Sequence, residues 1–353
     1  MIKNNINILR AWAIMGVIAI HVSMNFTKFT DLSWLPVTLA TVDIYAHFAV
    51  PLFVAISGFL LAMKYDGSYS VVSFYAKRLN RILIPFLIWS VLYMLINPGI
   101  FKNPLQALFG ILTGKAYYHL WFFFLIIQLY LIFPYLRKFL KHKKLWIIIA
   151  ILFIQVLFRH IRKDFSGTDN FTELFKGLFL SYIFYFSFGI WVSDNIERSE
   201  KSLSKISSFI NPMIFILTIL ISFFFSFNWL AENNGFFVEL PAFMLLEKFI
   251  LPFIFIMIFI NLLKLSDSLK SEKFLNFMNI AAKYSFGIYL SHALFLRIAA
   301  RILKYAEISW ENAAFYPAAF ILTLFASIGF CYLVEKTPAS KPLLGIDSKR
   351  NIT

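Results

Sequence analysis

The chain has 353 residues, 60% of them apolar and only 14% charged, with 44 phenylalanines. Soluble domains run to roughly 45–50% apolar and about 25% charged, so an ordinary soluble globular protein is excluded. The net charge of +15 would suggest nucleic acid in a soluble protein; in so apolar a chain it reads as the Lys/Arg excess of cytoplasmic loops, and no nucleic-acid partner is expected.

Hydropathy predicts an all-α polytopic membrane protein with about ten transmembrane helices, near 6–26, 42–63, 80–97, 118–136, 145–160, 174–192, 210–229, 240–263, 283–304 and 313–334. The first carries Arg10 and His21 and lacks an A-x-A-like cleavage site, so it reads as a retained span and not as a signal peptide. Eleven residues at about 100° each make three turns plus roughly 20°, which puts Arg10 and His21 on one face, about 16 Å apart along the axis. An ionisable side chain at depth costs at least ~2.5–3.5 kcal/mol, so each such group is expected to face a cavity or a partner. For His21 a buried histidine bonded to a backbone carbonyl competes evenly with a functional role.

The second span holds Asp43 and His47 near one end, then Pro51 and Gly58, which suit a bend or close helix packing. Lys77, Arg78 and Arg81 open the third, followed by Pro85. Arg78 and Arg81, three apart, share a face. They read either as positive-inside anchors or as a site for an anionic, phosphate-bearing ligand, since the arginine fork donates two bonds at once. The fourth span is entered through Tyr118, His119 and Trp121; an interfacial aromatic belt accounts for the Tyr and Trp but not for the His. His142 and His160 read as solvated loop residues. The ninth span contains Tyr289 and places His292 about 13 Å along its axis, a depth similar to that of His21.

With the N-terminus inside, 21 of the 33 Lys and Arg fall on the inner loops and helix ends, which predicts both termini in the cytoplasm. The single cysteine, Cys331, excludes an intramolecular disulfide. Histidine spacing predicts no metal site, and no Walker A, G-x-S-x-G, H-E-x-x-H or G-x-G-x-x-G motif occurs.

The polar runs together resemble the acyltransferase-3 family of integral membrane acyltransferases. NINILRAWAIMGVIAIH is similar to that family's Arg-x10-His motif, at Arg10 and His21. FAVPLFVAISGFLL (48–61) is similar to its second-helix motif, and FYAKRLNRILIPF (74–86) to its basic cytoplasmic motif, at Arg78, Arg81 and Pro85. YHLWFFF (118–124), YSFGIYLSHALF (284–295) and Glu335-Lys-Thr-Pro338 resemble three later motifs in the right order. Within the family the likeness is to stand-alone members that O-acetylate surface polysaccharide, such as the enterobacterial common antigen acetyltransferase.

The resemblance implies one transmembrane acyltransferase domain over 1–337 with a short cytoplasmic tail at 338–353. It implies multi-pass residence in a bacterial cytoplasmic membrane, among its lipids, and an acyl-CoA donor, commonly acetyl-CoA. The acceptor would be a surface polysaccharide or lipid-linked oligosaccharide, and homo-oligomers are compatible with the family. Arg78, Arg81 and Lys77, with Arg10, would bind the donor. His21 would be the general base, with Arg10 and His292 completing the catalytic set, and Tyr118, His119, Trp121 and Tyr289 would meet the acceptor. Arg10 has a second possible partner in Glu335. No role transfers to His47, and the fused esterase-like domain of some members has no counterpart, which favours direct transfer. The competing readings are an exporter of polysaccharide or its lipid-linked precursor, and an acyltransferase acting on peptidoglycan or lipid.

Overall fold

The structure, a computed structural model, describes residues 2–29, 31–67, 69–97, 103–141, 144–164, 178–205, 210–233 and 241–348. Among these residues every regular element is helical. The α-helices are α1 (Ile2–Ser23), α2 (Trp34–Ala46), α3 (Ala49–Lys64), α4 (Val71–Ile96), α5 (Pro104–Leu112), α6 (Trp121–Leu140) and α7 (Leu145–Asp164). They continue with α8 (Ile183–Asp194), α9 (Ile196–Ser204), α10 (Ile210–Asn233), α11 (Pro241–Ser268), α12 (Glu272–Tyr305), α13 (Phe315–Glu335) and α14 (Ser340–Leu344).

Six stretches of the described residues are long and apolar enough to cross a bilayer: Asn5–Ser23, Trp34–Lys64, Val71–Ile96, Trp121–Leu140, Glu272–Tyr305 and Phe315–Glu335. Two shorter apolar stretches, Leu145–Ile161 and Pro212–Asn228, fall where spans are predicted, and α11 runs through the predicted span at 240–263. Of the span predicted at 174–192, residues 174–177 lie outside the described residues; the rest holds a short 3-10 helix at Phe179–Ser181 and α8 with 12 residues.

Helix α10 shows why this is a membrane fold. Its Thr218, Ser222 and Ser226 are buried, while Phe215, Leu220, Phe223 and Phe224 are exposed. That is amphipathicity turned inside out, the arrangement a lipid solvent selects. Each inward hydroxyl is satisfied within the helix, donating to the carbonyl of Phe215, Thr218 or Ser222 at 2.6–2.8 Å, so none enters the apolar layer unpaired. The protein is a multi-pass membrane protein.

Two departures from hydropathy have local causes. The second apolar stretch is bent into α2 and α3 at His47 and Phe48. Pro51 has no N–H to give the His47 carbonyl four residues back, so a continuous ladder fails there and Pro51 instead sits in the first turn of α3, where no donor is needed. Helix α4 starts nine residues before the predicted 80, because the Ser70 hydroxyl caps the Ser73 N–H at 3.3 Å and the helix runs on through the charged Lys77 and Arg78.

The chain forms two compact units, Met1–Phe53 with Glu197–Phe330, and Val54–Ile196 with Cys331–Thr353. In the first, α1 packs along α12, α2 packs on α1 and α10, and α11 packs on α1 and α10. The α1–α12 seam is built from Ile8, Ala11, Met278, Ala281 and Ala282, with Trp12 and Phe277 closing its edges. The small alanines bring the two backbones close, as membrane helices require where dispersion replaces hydrophobic drive.

In the second unit α6 packs against α4 and α8, and α7 packs against α8. Helices α3 and α8 touch backbone to backbone. A Cβ on Gly58 would stand 2.3 Å from the Phe186 carbonyl oxygen, and one on Gly189 would stand 1.9 Å from that of Ala55. Neither oxygen belongs to a flexible side chain, so Gly189→Ala is expected to cost about 1–3 kcal/mol. Thermal unfolding of the purified variant in detergent measures this, and an unchanged midpoint would show that the helices part freely. Within the expected tail at 338–353, α14 packs on α4, and the Trp89 indole N–H donates to the Leu343 carbonyl at 3.0 Å. His142 lies outside the described residues, and His160 is an exposed residue of α7, not of a loop.

Candidate functional site

In the first unit, α1 carries Arg10 and His21, and α12 carries Ser285, Tyr289 and His292. The Arg10 guanidinium donates from Nη2 to the Ser285 hydroxyl at 3.0 Å. Further along both helices the His21 and His292 rings stack, with centroids 5.1 Å apart and planes 22° from parallel. Both contacts advance in the same chain sense, so α1 and α12 are parallel, as expected for first and ninth spans entering from one side. Ser285 and His292 are seven residues apart, about two turns, and so share a face. The eleven-residue spacing on α1 covers about 6 Å more axis than the seven on α12, a difference the long Arg10 side chain can absorb.

The orientation of His292 is set by its own helix. Its Nδ1 lies 2.7 Å from the Tyr289 carbonyl and 3.2 Å from that of Ile288. Carbonyl oxygens only accept, so Nδ1 carries the proton, and in the neutral ring Nε2 keeps its lone pair. The Tyr289 ring packs 5.6 Å from that of His292 and meets Phe53 edge-on at 6.4 Å. His292 is fully buried, whereas His21 keeps partial exposure. Two imidazoles in contact can take and return a proton.

A second polar group lies at the end of α1. The Ser23 hydroxyl is 2.9 Å from the Ala19 carbonyl and 3.4 Å from the Asp43 carboxylate. His47 Nδ1 is 2.6 Å from the Asp43 carbonyl and 3.4 Å from its carboxylate. Asp43 is buried and His47 exposed. Sequence reasoning noted Asp43 and His47 but missed Ser23 and Ser285; hydroxyls leave no trace in a charge or hydropathy profile.

The second unit holds the basic cluster. Lys77 and Arg81 are exposed and Arg78 is half-buried. The Arg78 guanidinium lies over the Tyr65 ring, 5.4 Å from its centroid, a cation–π contact that leaves the edge of the fork available. Arg81 Nη2 donates to Asp347 at 2.9 Å, both side chains being more than half exposed. Tyr69 follows in the loop between α3 and α4; burial lifts its phenol above the ordinary tyrosine value, against the opposing pull of Arg137.

His119 is fully buried inside an aromatic ring of Tyr93, Tyr117 and Tyr118, at centroid distances of 5.1, 5.7 and 5.4 Å. The turn that delivers it depends on Gly114, whose φ is +73° and whose Cβ would stand 2.8 Å from Trp121 Cα. Trp121 starts α6 and packs on Tyr182 at 5.7 Å. Tyr118 remains 44% exposed, so of this group it is Tyr118 that can meet a ligand. Among the described residues no group of three or more His, Cys, Asp or Glu side chains is placed to hold a metal ion.

Comparison with known proteins points the same way at the level of the family. The acyltransferase-3 model, described as an acyltransferase domain, matches residues 3–332. No curated protein matches, and no solved structure matches. The match takes in both polar centres, α1 and α12 as well as α4 and α6, and nearly the whole chain: the protein belongs to the acyltransferase-3 family, a family of membrane acyltransferases.

Proposed function

We propose that the protein is an O-acyltransferase, with acetyl-CoA as donor, that esterifies a hydroxyl of a surface polysaccharide or its lipid-linked precursor at a bacterial cytoplasmic membrane. The observation that carries this reading is the stacked His21–His292 pair, joined on the same helix faces by the Arg10–Ser285 contact. Such a pair suits acyl transfer between two neutral partners. His21 takes the proton from the acceptor hydroxyl as its oxygen attacks the thioester carbonyl. The C–S bond breaks, and the thiolate receives that proton, so ester and free thiol form with no net proton released. His292, with Nδ1–H committed to its own backbone, stacks on the His21 ring and positions it. Arg10 holds the donor.

The nucleotide end of the donor carries phosphate groups, for which Arg78 and Arg81 supply planar forks and Lys77 a point charge. Tyr118 meets the acceptor from its exposed position, and the buried His119 and Tyr289, with Trp121, support that side of the site. The termini are cytoplasmic in this reading, which puts the Lys77–Arg81 turn of α4 on the donor's side.

The Arg81–Asp347 pair bears on the donor. An exposed pair contributes about 0–1 kcal/mol, so a phosphate displaces the carboxylate at little cost. Asp347→Asn is therefore expected to lower KM for acetyl-CoA about two- to fivefold with kcat unchanged. Steady-state kinetics on the purified protein checks this; an unchanged KM would mean that Arg81 does not meet the donor.

The decisive experiment for the function is mass spectrometry of surface glycans from cells with and without the protein. Loss of an acetyl ester from one glycan supports the reading. Loss from peptidoglycan or a lipid would move the acceptor, and disappearance of the whole glycan from the surface would favour export.

A further inference from the structure

Arg137, in the last turn of α6, is by sequence one of the Lys and Arg counted on the inner loops and helix ends. It is instead only 5% exposed. Its Nη1 donates to Asp194 at the end of α8, and its Nη2 donates to Asp66, in the loop between α3 and α4, at 2.7 Å. Lys141, one turn on, reaches the Asp66 carbonyl at 3.3 Å and its carboxylate at 3.6 Å. One turn before Arg137, Phe133 stacks on Phe74 at 5.3 Å and packs on Tyr65 at 6.3 Å. Phe74 in turn meets Tyr65 edge-on at 5.0 Å. Residues 133, 137 and 141 are four apart, so a single face of α6 grips both Tyr65-Asp66 and the first turn of α4. Tyr65 is the ring under the Arg78 guanidinium.

The two carboxylates on Arg137 differ. Asp194 is 15% exposed and Asp66 is 69% exposed. The Asp194 pair alone neutralises the buried cation. The Asp66 pair, open to water, adds little to stability, but it fixes where Asp66, and hence Tyr65, stands.

We propose that Arg137, through Asp66 and Tyr65, is a positioning residue for donor binding: it holds the α3–α4 loop so that Tyr65 keeps the Arg78 fork aimed at a phosphate of the donor. This rests on the reading that Arg78 and Arg81 bind that phosphate. The two bonds also commit the Arg137 charge to carboxylates, so the charge offered to the ligand is that of Lys77, Arg78 and Arg81.

The test avoids Arg137→Ala, which strands Asp194 and threatens folding, and acts on the exposed partner. Asp66→Ala, Asp66→Asn, Tyr65→Leu, Tyr65→Phe and Arg78→Ala are compared in the purified full-length protein, reading kcat, KM for acetyl-CoA and the unfolding temperature. Asp66→Ala and Tyr65→Leu are expected to raise KM about tenfold, the scale of one charge-assisted hydrogen bond, with kcat and unfolding temperature unchanged. Asp66→Asn, which keeps an acceptor, and Tyr65→Phe, which keeps a ring, should restore most of the affinity. If Arg78→Ala raises KM and Asp66→Ala does not, the positioning role is wrong and the donor site stands. If kcat and unfolding temperature fall together with affinity, Arg137 is only a structural clamp and the proposal is overturned. If Arg78→Ala itself leaves KM unchanged, the donor-site reading fails and the proposal falls with it.

Discussion

His21→Ala is expected to lower kcat for acyl transfer by about 10²–10⁴-fold, the range that a positioned general base supplies. KM for acetyl-CoA and the unfolding temperature should hardly move. His21 is partly exposed at one end of the α1–α12 seam, whereas the packing of that seam rests on Ile8, Ala11, Met278, Ala281 and Ala282. Truncating the imidazole therefore removes a reacting group without opening the core. His292→Ala provides the contrast. That ring is fully buried and bonded to the Tyr289 carbonyl, so its loss leaves a cavity and unanchors His21. A fall in kcat with some loss of stability is expected. His292→Gln tests whether a hydrogen-bonding group alone suffices there. Full transfer by the His21 variant, measured as acetyl release from labelled acetyl-CoA to acceptor, would remove His21 from the chemistry.

The second large effect is on the donor. Arg78→Ala combined with Arg81→Ala is expected to weaken acetyl-CoA binding by about 10²–10³-fold. Hydrogen bonds to charged groups contribute about 1.5–3 kcal/mol each, and the exposure of Arg81 puts its share at the low end. Lysine at both positions should recover part of the loss, because it restores charge but not the planar fork. The wild-type affinity should fall as salt is raised from about 0.05 to 0.5 M, and the double variant's should respond less. Binding of acetyl-CoA to purified protein by isothermal calorimetry reads all three. Equal affinities would dismiss the phosphate site and leave Arg78 and Arg81 as topological anchors.

How far the sequence could be read is clearest from single residues. Arg10 and His21 share a face because helix geometry is local, and the spacing alone placed them. His292 was assigned a similar depth from its position in the ninth span. That its ring stacks on His21 depends on how α1 and α12 pack, which is decided by small residues 270 positions away in the chain. Arg137 looked like any loop charge, because the partners that bury it are 57 and 71 residues distant. Asp347 sat in what looked like a tail, and only the docking of α14 on α4 brings it to Arg81.

By itself the sequence determined the solvent, the helical class and the family. Apolar content, the helical period and motif order are properties of the chain that survive any rearrangement of its helices. The tertiary structure decided which polar residues act together. It paired His21 with His292 and Arg10 with Ser285 in one unit, and it set Arg78 on Tyr65 and Arg137 between two carboxylates in the other. The physical reason is the cost of a polar group in lipid: each must find a partner, and the partner is chosen by helix packing, not by neighbours in the chain.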